Sequence, residues 1–344
     1  MLTVRQHAPT CILRTAEPRF GVDAGLICAG QSKGDAGVAD EDILDPWVEK
    51  WIAENPMMAN PLEEFTPEIL ALARGPVGAP PTREIAHIED QLVGDVPVRL
   101  YRPEEQPTGI VVYFHGGGFV LGSIGLMDNV ARELAYASGA VVISVEYRLA
   151  PEDPYPAGLD DCVAVSKWAA ANATRFGVPA GAVAVAGESA GGNLAAAVSL
   201  KLRDEGDVAL AGQVLIYPAT AGSTTTPSRE QFDGLVISLK ASDYFWNSYA
   251  AGRDLDSDPY AAPLSATSFV GLPPALVVLS GCDMLRDEGR QYAALLRGGG
   301  VPVEEVCYPG QPHGFVNFEF PAAAEAFELT GRWLRQTLVA PAGS

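Results

Sequence analysis

Apolar and polar positions change rhythm along the chain near residue 80. Before it, the spacing predicts two weakly amphipathic helices, over 41–54 and 61–74, carrying Trp47, Trp51 and Phe65 and separated by Asn60 and Pro61. The stretch 31–40, rich in Gly, Ala and Asp, reads as a mobile loop, and the Gly/Pro-rich run 75–81 marks a boundary. Beyond it, segments 85–93 and 96–101 flank Gly94 and Asp95 as a hairpin. Short apolar runs at 110–114, 141–145, 183–186, 213–217, 275–280 and 303–308 read as buried strands. Between them, 127–138, 158–176, 190–203, 287–297 and 322–338 read as helices. Strands alternating with helices of this length imply right-handed crossovers and a mostly parallel sheet flanked by helices. The alternation is interrupted at 221–262, an aromatic-rich insertion that either covers the C-terminal edge of the sheet, where open α/β sheets bind ligands, or only packs its aromatics onto the core. The expected organisation is an N-terminal arm with cap helices (1–80), an α/β domain (81–220 and 263–344) and a second cap segment (221–262).

Composition narrows the class. Of 344 residues, 48% are apolar and 19% charged, enough for a large core. The 43 acidic and 23 basic residues leave a net charge of −20, which repels a polyphosphate backbone and argues against nucleic-acid binding. Five dispersed cysteines (Cys11, Cys28, Cys162, Cys282, Cys307) form neither a disulfide framework nor a metal-ligand pattern, so free thiols in a reducing cytoplasm, with no metal, are expected. No apolar run reaches membrane-spanning length and no signal peptide is legible, so no membrane association is expected.

Three motifs carry chemistry. Gly187-Glu188-Ser189-Ala190-Gly191 fits G-x-S-x-G, follows a predicted strand and opens a predicted helix. Such a sharp strand-to-helix turn exposes a nucleophilic serine, and the helix N-terminus brings backbone N–H groups toward an oxyanion. The alternative, a serine that merely caps the helix, explains neither flanking glycine. His115-Gly116-Gly117-Gly118 directly follows the strand at 110–114; consecutive glycines let backbone donors approach a developing negative charge. A phosphate cradle fits less well, because the P-loop Lys and Ser/Thr and the G-x-G-x-x-G spacing are missing. Of the four histidines, His7 lies in the N-terminal arm, His87 on an early strand and His115 in the glycine loop. His313 follows the strand at 303–308 and Ser189, as the base of an α/β hydrolase does. Between them, Asp283 follows the strand at 275–280; Asp287 and Glu288 compete, but sit where a helix begins and have a ready role there.

Taken together, the segments YFHGGGF (113–119), EYRLAPE (146–152), GESAGG (187–192), DPYAAPL (258–264), DMLRDEG (283–289) and HGF (313–315) resemble those of bacterial hormone-sensitive-lipase-like carboxylesterases, family IV of the α/β-hydrolase superfamily. The resemblance spans roughly 85–335 and implies an α/β-hydrolase fold with a helical cap. It implies Ser189 as nucleophile, Asp283 as acid, His313 as base, and the N–H groups of Gly117, Gly118 and Ala190 as oxyanion hole. His115 is then structural. Two positions depart from the family pattern: Glu188 stands for the usual Asp and Met284 for the usual Pro. The implied activity is hydrolysis of short- to medium-chain carboxylic esters, small-molecule substrates, without a cofactor. Amide or aryl deacetylation and acyl transfer use the same site, and a non-catalytic receptor on this scaffold is the remaining alternative. Trp47, Trp51, Phe232, Tyr244 and Trp246 are candidates for the substrate pocket. An apolar edge at the last strand and helix leaves a homodimer open.

Overall fold

The computed structural model describes residues 40–55, 64–75 and 78–339. The loop expected at 31–40, His7, Cys11 and Cys28 lie outside or at the margin of this range.

Eight strands form one sheet in the order β1 (His87–Val93), β2 (Val96–Arg102), β4 (Val141–Val145), β3 (Ile110–Phe114), β5 (Val183–Glu188), β6 (Gly212–Ile216), β7 (Ala275–Cys282), β8 (Val303–Pro312). The hairpin β1–β2 is antiparallel and β2 runs antiparallel to β4; every later pairing is parallel. Because side chains alternate across a strand, each central strand supplies two cores. Ile110, Val112 and Phe114 of β3 face one side with Val183 and Val185, while Val111 and Tyr113 face the other with Ala184 and Ala186.

Helices cover both faces. On the first lie α4 (Ala157–Ala171), α5 (Ala190–Glu205) and α8 (Arg286–Gly298), through residues such as Leu159, Leu194 and Tyr292. On the second lie α3 (Asp128–Ser138) and α9 (Pro321–Val339), through Leu134, Phe327 and Leu334, joined by Val48 and Ile52 of α1 (Pro46–Glu54). Each fully buried Val, Leu or Phe contributes roughly 1.5–3 kcal/mol by leaving water, so the sheet is a rigid platform for the loops at its C-terminal edge.

Several boundaries differ from expectation for local reasons. The first predicted helix starts only at Pro46: Asp45 caps it through its side chain, accepting from the Trp47 N–H, and Pro46 suits the first turn. The second shortens to α2 (Pro67–Ala73), capped by Thr66. The helix expected over 158–176 breaks at Asn172, whose side-chain amide donates to the Trp168 carbonyl, and resumes as a 3-10 turn over Ala173–Phe176. The insertion 221–262 contains α6 (Pro227–Gln231) and α7 (Leu239–Ala250) between β6 and β7.

Candidate active site

Ser189 ends the β5-to-α5 turn with φ 57° and ψ −119°, outside the regions a side chain prefers. Its surroundings hold it there: the Ser189 N–H donates to the Ile216 carbonyl, and its own carbonyl accepts from Asn193 and Ala219 N–H groups. The flanking glycines are required by space. A Cβ on Gly187 would lie 2.1 Å from the Gly191 carbonyl oxygen, and one on Gly191 would lie 1.9 Å from that of Phe114.

Two hydrogen bonds run inward from Ser189. His313 Nε2 lies 2.9 Å from Ser189 Oγ, and His313 Nδ1 lies 2.8 Å from Asp283 Oδ2. A carboxylate only accepts, so Nδ1 carries the proton and Nε2 is free to accept from the serine hydroxyl. The Leu285 N–H donates to Asp283 Oδ1 at 2.9 Å and fixes the carboxylate plane. All three side chains are more than nine-tenths buried. Burial disfavours charge on His313, but the Asp283 carboxylate and its hydrogen bond outweigh that, and the imidazole is raised above its ordinary value. The competing acids point elsewhere. Asp287 accepts from the Ser228 N–H, and Glu288 accepts from the Thr220 and Ala221 N–H groups.

Above the serine, the glycine loop turns through Gly117 (φ +115°) and Gly118 (φ +63°). A Cβ on Gly118 would lie 2.4 Å from the Phe245 ring, and one on Gly117 would lie 2.3 Å from the Leu121 carbonyl oxygen. Gly117, Gly118 and Ala190, the first residue of α5, line the same cavity as Ser189 and His313. His115 is turned away from them. Its ring stacks on Tyr147 at 4.3 Å and its Nδ1 donates to the Gly116 carbonyl. Burial lowers it to about 4, leaving it neutral.

The cavity has a volume of about 390 Å³ and apolar walls, Phe119, Phe245, Trp246, Met284 and Phe318 among them. Of the five expected pocket residues, Trp246 lines it and the other four do not. Trp47 packs edge-on against Phe320, and Trp51 lies behind Phe318 at 4.6 Å. Tyr244 stacks on Phe65 at 4.4 Å, and Phe232 packs in a separate cluster with Cys282, Met284 and Leu285. The reason is helical geometry: Ala241, Ser242, Phe245 and Trp246 share the face of α7 that borders the cavity, and Tyr244 falls off it. That i, i+3, i+4 spacing was the available signal for Phe245. Among the described residues, no cluster of three or more His, Cys, Asp or Glu side chains could hold a metal ion, and no helix is long and apolar enough to cross a membrane.

The sequence pattern of the α/β-hydrolase-fold family matches residues 111–317. The chain is 38% identical to the esterase LipI of Mycobacterium tuberculosis over 77% of its own length and 85% of that protein's. It is 42% identical to the carboxylesterase NlhH of the same organism, over 72% and 81%. Among solved structures, it is similar to a hyperthermophilic esterase from the archaeon Pyrobaculum calidifontis with a TM-score of 0.78 and 36% identity, covering 87% of this chain and 100% of that one. The fold, the matched segments and these relatives place the chain in the hormone-sensitive-lipase-like family, family IV of the α/β-hydrolase superfamily.

Proposed function

We propose that this protein is a carboxylesterase that cleaves short- to medium-chain esters through an acyl-enzyme on Ser189. The observation that carries the proposal is the unbroken hydrogen-bonded line Asp283–His313–Ser189, opening into an apolar cavity beside a glycine loop. Ser189 Oγ attacks the ester carbonyl carbon while its proton passes to His313 Nε2. Asp283 keeps the imidazole in the accepting tautomer and stabilises the imidazolium that forms. The negative charge on the carbonyl oxygen falls to the N–H groups of Gly117, Gly118 and Ala190, each worth roughly 3–4 kcal/mol in comparable sites. His313 then returns the proton to the departing alcohol, and water repeats the sequence on the acyl-enzyme.

The chain-length preference follows from space. A cavity of about 390 Å³ stands near the lower end of the roughly 300–1,000 Å³ typical of small-molecule sites. Segment 221–262 supplies Phe245 and Trp246 to its wall and Phe65 comes from the N-terminal segment, so we assign both as cap elements that limit the acyl chain. The free, buried thiols of Cys162 and Cys282 fit a reducing compartment, and we assign the protein to the cytoplasm. Steady-state hydrolysis of p-nitrophenyl esters from C2 to C16 tests the substrate class: kcat/KM is expected to peak at or below C8. A peak at C14–C16, or faster cleavage of emulsified long-chain triglycerides, would overturn it.

A further inference from the structure

Glu188 is a buried carboxylate that the mechanism above does not use. It immediately precedes Ser189, and it stands where the family usually places a shorter Asp. Its Oε1 accepts from the Gly116 N–H at 2.5 Å and from the Tyr113 hydroxyl at 3.1 Å. Gly116 in turn immediately precedes the donors Gly117 and Gly118. One side chain therefore connects the residue before the nucleophile to the residue before the oxyanion donors, across two loops 72 residues apart in sequence. The fit leaves no slack: a Cβ on Gly116 would lie 1.9 Å from Glu188 Oε2. Glu188 also lines the cavity beside Ser189 and His313.

We propose that Glu188 is a positioning residue, whose carboxylate locks the Gly117–Gly118 donors in register with Ser189 Oγ. The proposal rests on the esterase reading and deepens it. The geometry matters because misplacing a catalytic group by about 1 Å costs on the order of 100-fold in rate. Beside that geometry, the carboxylates near His313 are Asp283 at hydrogen-bond distance and, farther off, Glu188 and Glu288, all of which favour the imidazolium. Around Glu188 itself stand Tyr113 and the Gly116 N–H in contact, with His313, Tyr147 and Tyr217 beyond them. Burial pushes Glu188 up to about 7, against the two hydrogen bonds that oppose the shift.

Two variants separate geometry from charge. In Glu188→Ala the Gly116 N–H loses its acceptor; kcat should fall at least about 30-fold while KM changes less than about threefold. In Glu188→Gln the amide oxygen can accept both bonds and the charge is gone; kcat at pH 8.5 should fall less than about fivefold, and the acid limb of the kcat/KM profile should move to lower pH by several tenths of a unit. A folded Glu188→Ala enzyme with wild-type kcat, or a Glu188→Gln enzyme that loses as much kcat as Glu188→Ala, would overturn the proposal. Should the wild type cleave none of the esters, the rate of Ser189 phosphonylation by a fluorophosphonate gives the same comparison. Its P=O oxygen occupies the same donors, so loss of the esterase reading and loss of the clamp are told apart.

Discussion

Replacing Asp283 by Asn tests the proposed catalytic line at its least exposed point. Asp283 Oδ1 accepts from the Leu285 N–H and Oδ2 accepts from His313 Nδ1. An asparagine of the same shape must keep its oxygen toward Leu285, because an NH2 group there would face another donor. Its NH2 group then faces His313 Nδ1 and donates to it, which drives the imidazole proton to Nε2. That atom faces Ser189 Oγ at 2.9 Å and can no longer accept the hydroxyl proton. The wrong tautomer costs on the order of 10⁴ in kcat in the serine-protease triad, equivalent to about 5.5 kcal/mol of barrier. The same loss is expected here, with KM changed little, since Asp283 does not line the cavity. Hydrolysis of p-nitrophenyl butyrate at pH 7–9, with circular dichroism and a thermal melt to verify the fold, reads it directly. A folded Asp283→Asn enzyme within tenfold of wild-type kcat would refute the reasoning.

Further outcomes follow from the same geometry. The fold holds the His313 proton more tightly than water does, and the proposed base must be neutral to work, so kcat/KM should rise with pH through an apparent value above the ordinary 6.5; a limb centred at or below 6 contradicts the pairing with Asp283. Phe245→Ala removes the ring over Gly118 and enlarges the cavity, so the C8-to-C4 ratio of kcat/KM should rise several-fold, and an unchanged ratio places the chain-length limit elsewhere. Burial raises Glu188 and Glu288 to about 7 from an unfolded value of about 4.5, so between those values the native state binds more protons at these two groups than the unfolded state does. Their contribution to stability is therefore full below about 4.5 and is lost as pH rises through about 7. Glu288→Gln, which keeps an acceptor for Thr220 and Ala221, should flatten the fall in melting temperature from pH 5 to 8, and an unchanged slope would contradict this assignment.

The candidate site was legible where chemistry is written in short local patterns. The glycines flanking Ser189 are dictated by contacts with the backbone of Phe114 and Gly191, and such constraints leave a readable signature. Asp283 and His313 could be placed because each follows a predicted strand, and parallel strands deliver their following loops to one edge. The pocket was less legible, because it depends on which helix face turns inward. Tyr244, Phe245 and Trp246 are equally aromatic, and only the path of α7 separates the one that stacks on Phe65 from the two that line the cavity. Trp47 and Trp51 have the size of pocket residues but pack on Phe318 and Phe320 instead. The end of β8 was hidden for another reason. Pro309 and Gly310 read as strand breakers, yet β8 is an edge strand, which tolerates both, and its pairing resumes at Cys282–Pro312 after a register shift. Glu188 was visible only as a departure from a pattern; its hydrogen bond to Gly116 needs the fold.

Covalent labelling is the shortest test of the assignment of Ser189 as the nucleophile. The protein is incubated with a fluorophosphonate probe, digested, and the modified residue identified by mass spectrometry, with Ser189→Ala and His313→Ala in parallel. One adduct is expected, on Ser189, absent from Ser189→Ala and formed at least a hundredfold more slowly in His313→Ala. An adduct on another residue, or Ser189→Ala that still turns over ester at the wild-type rate, would contradict it.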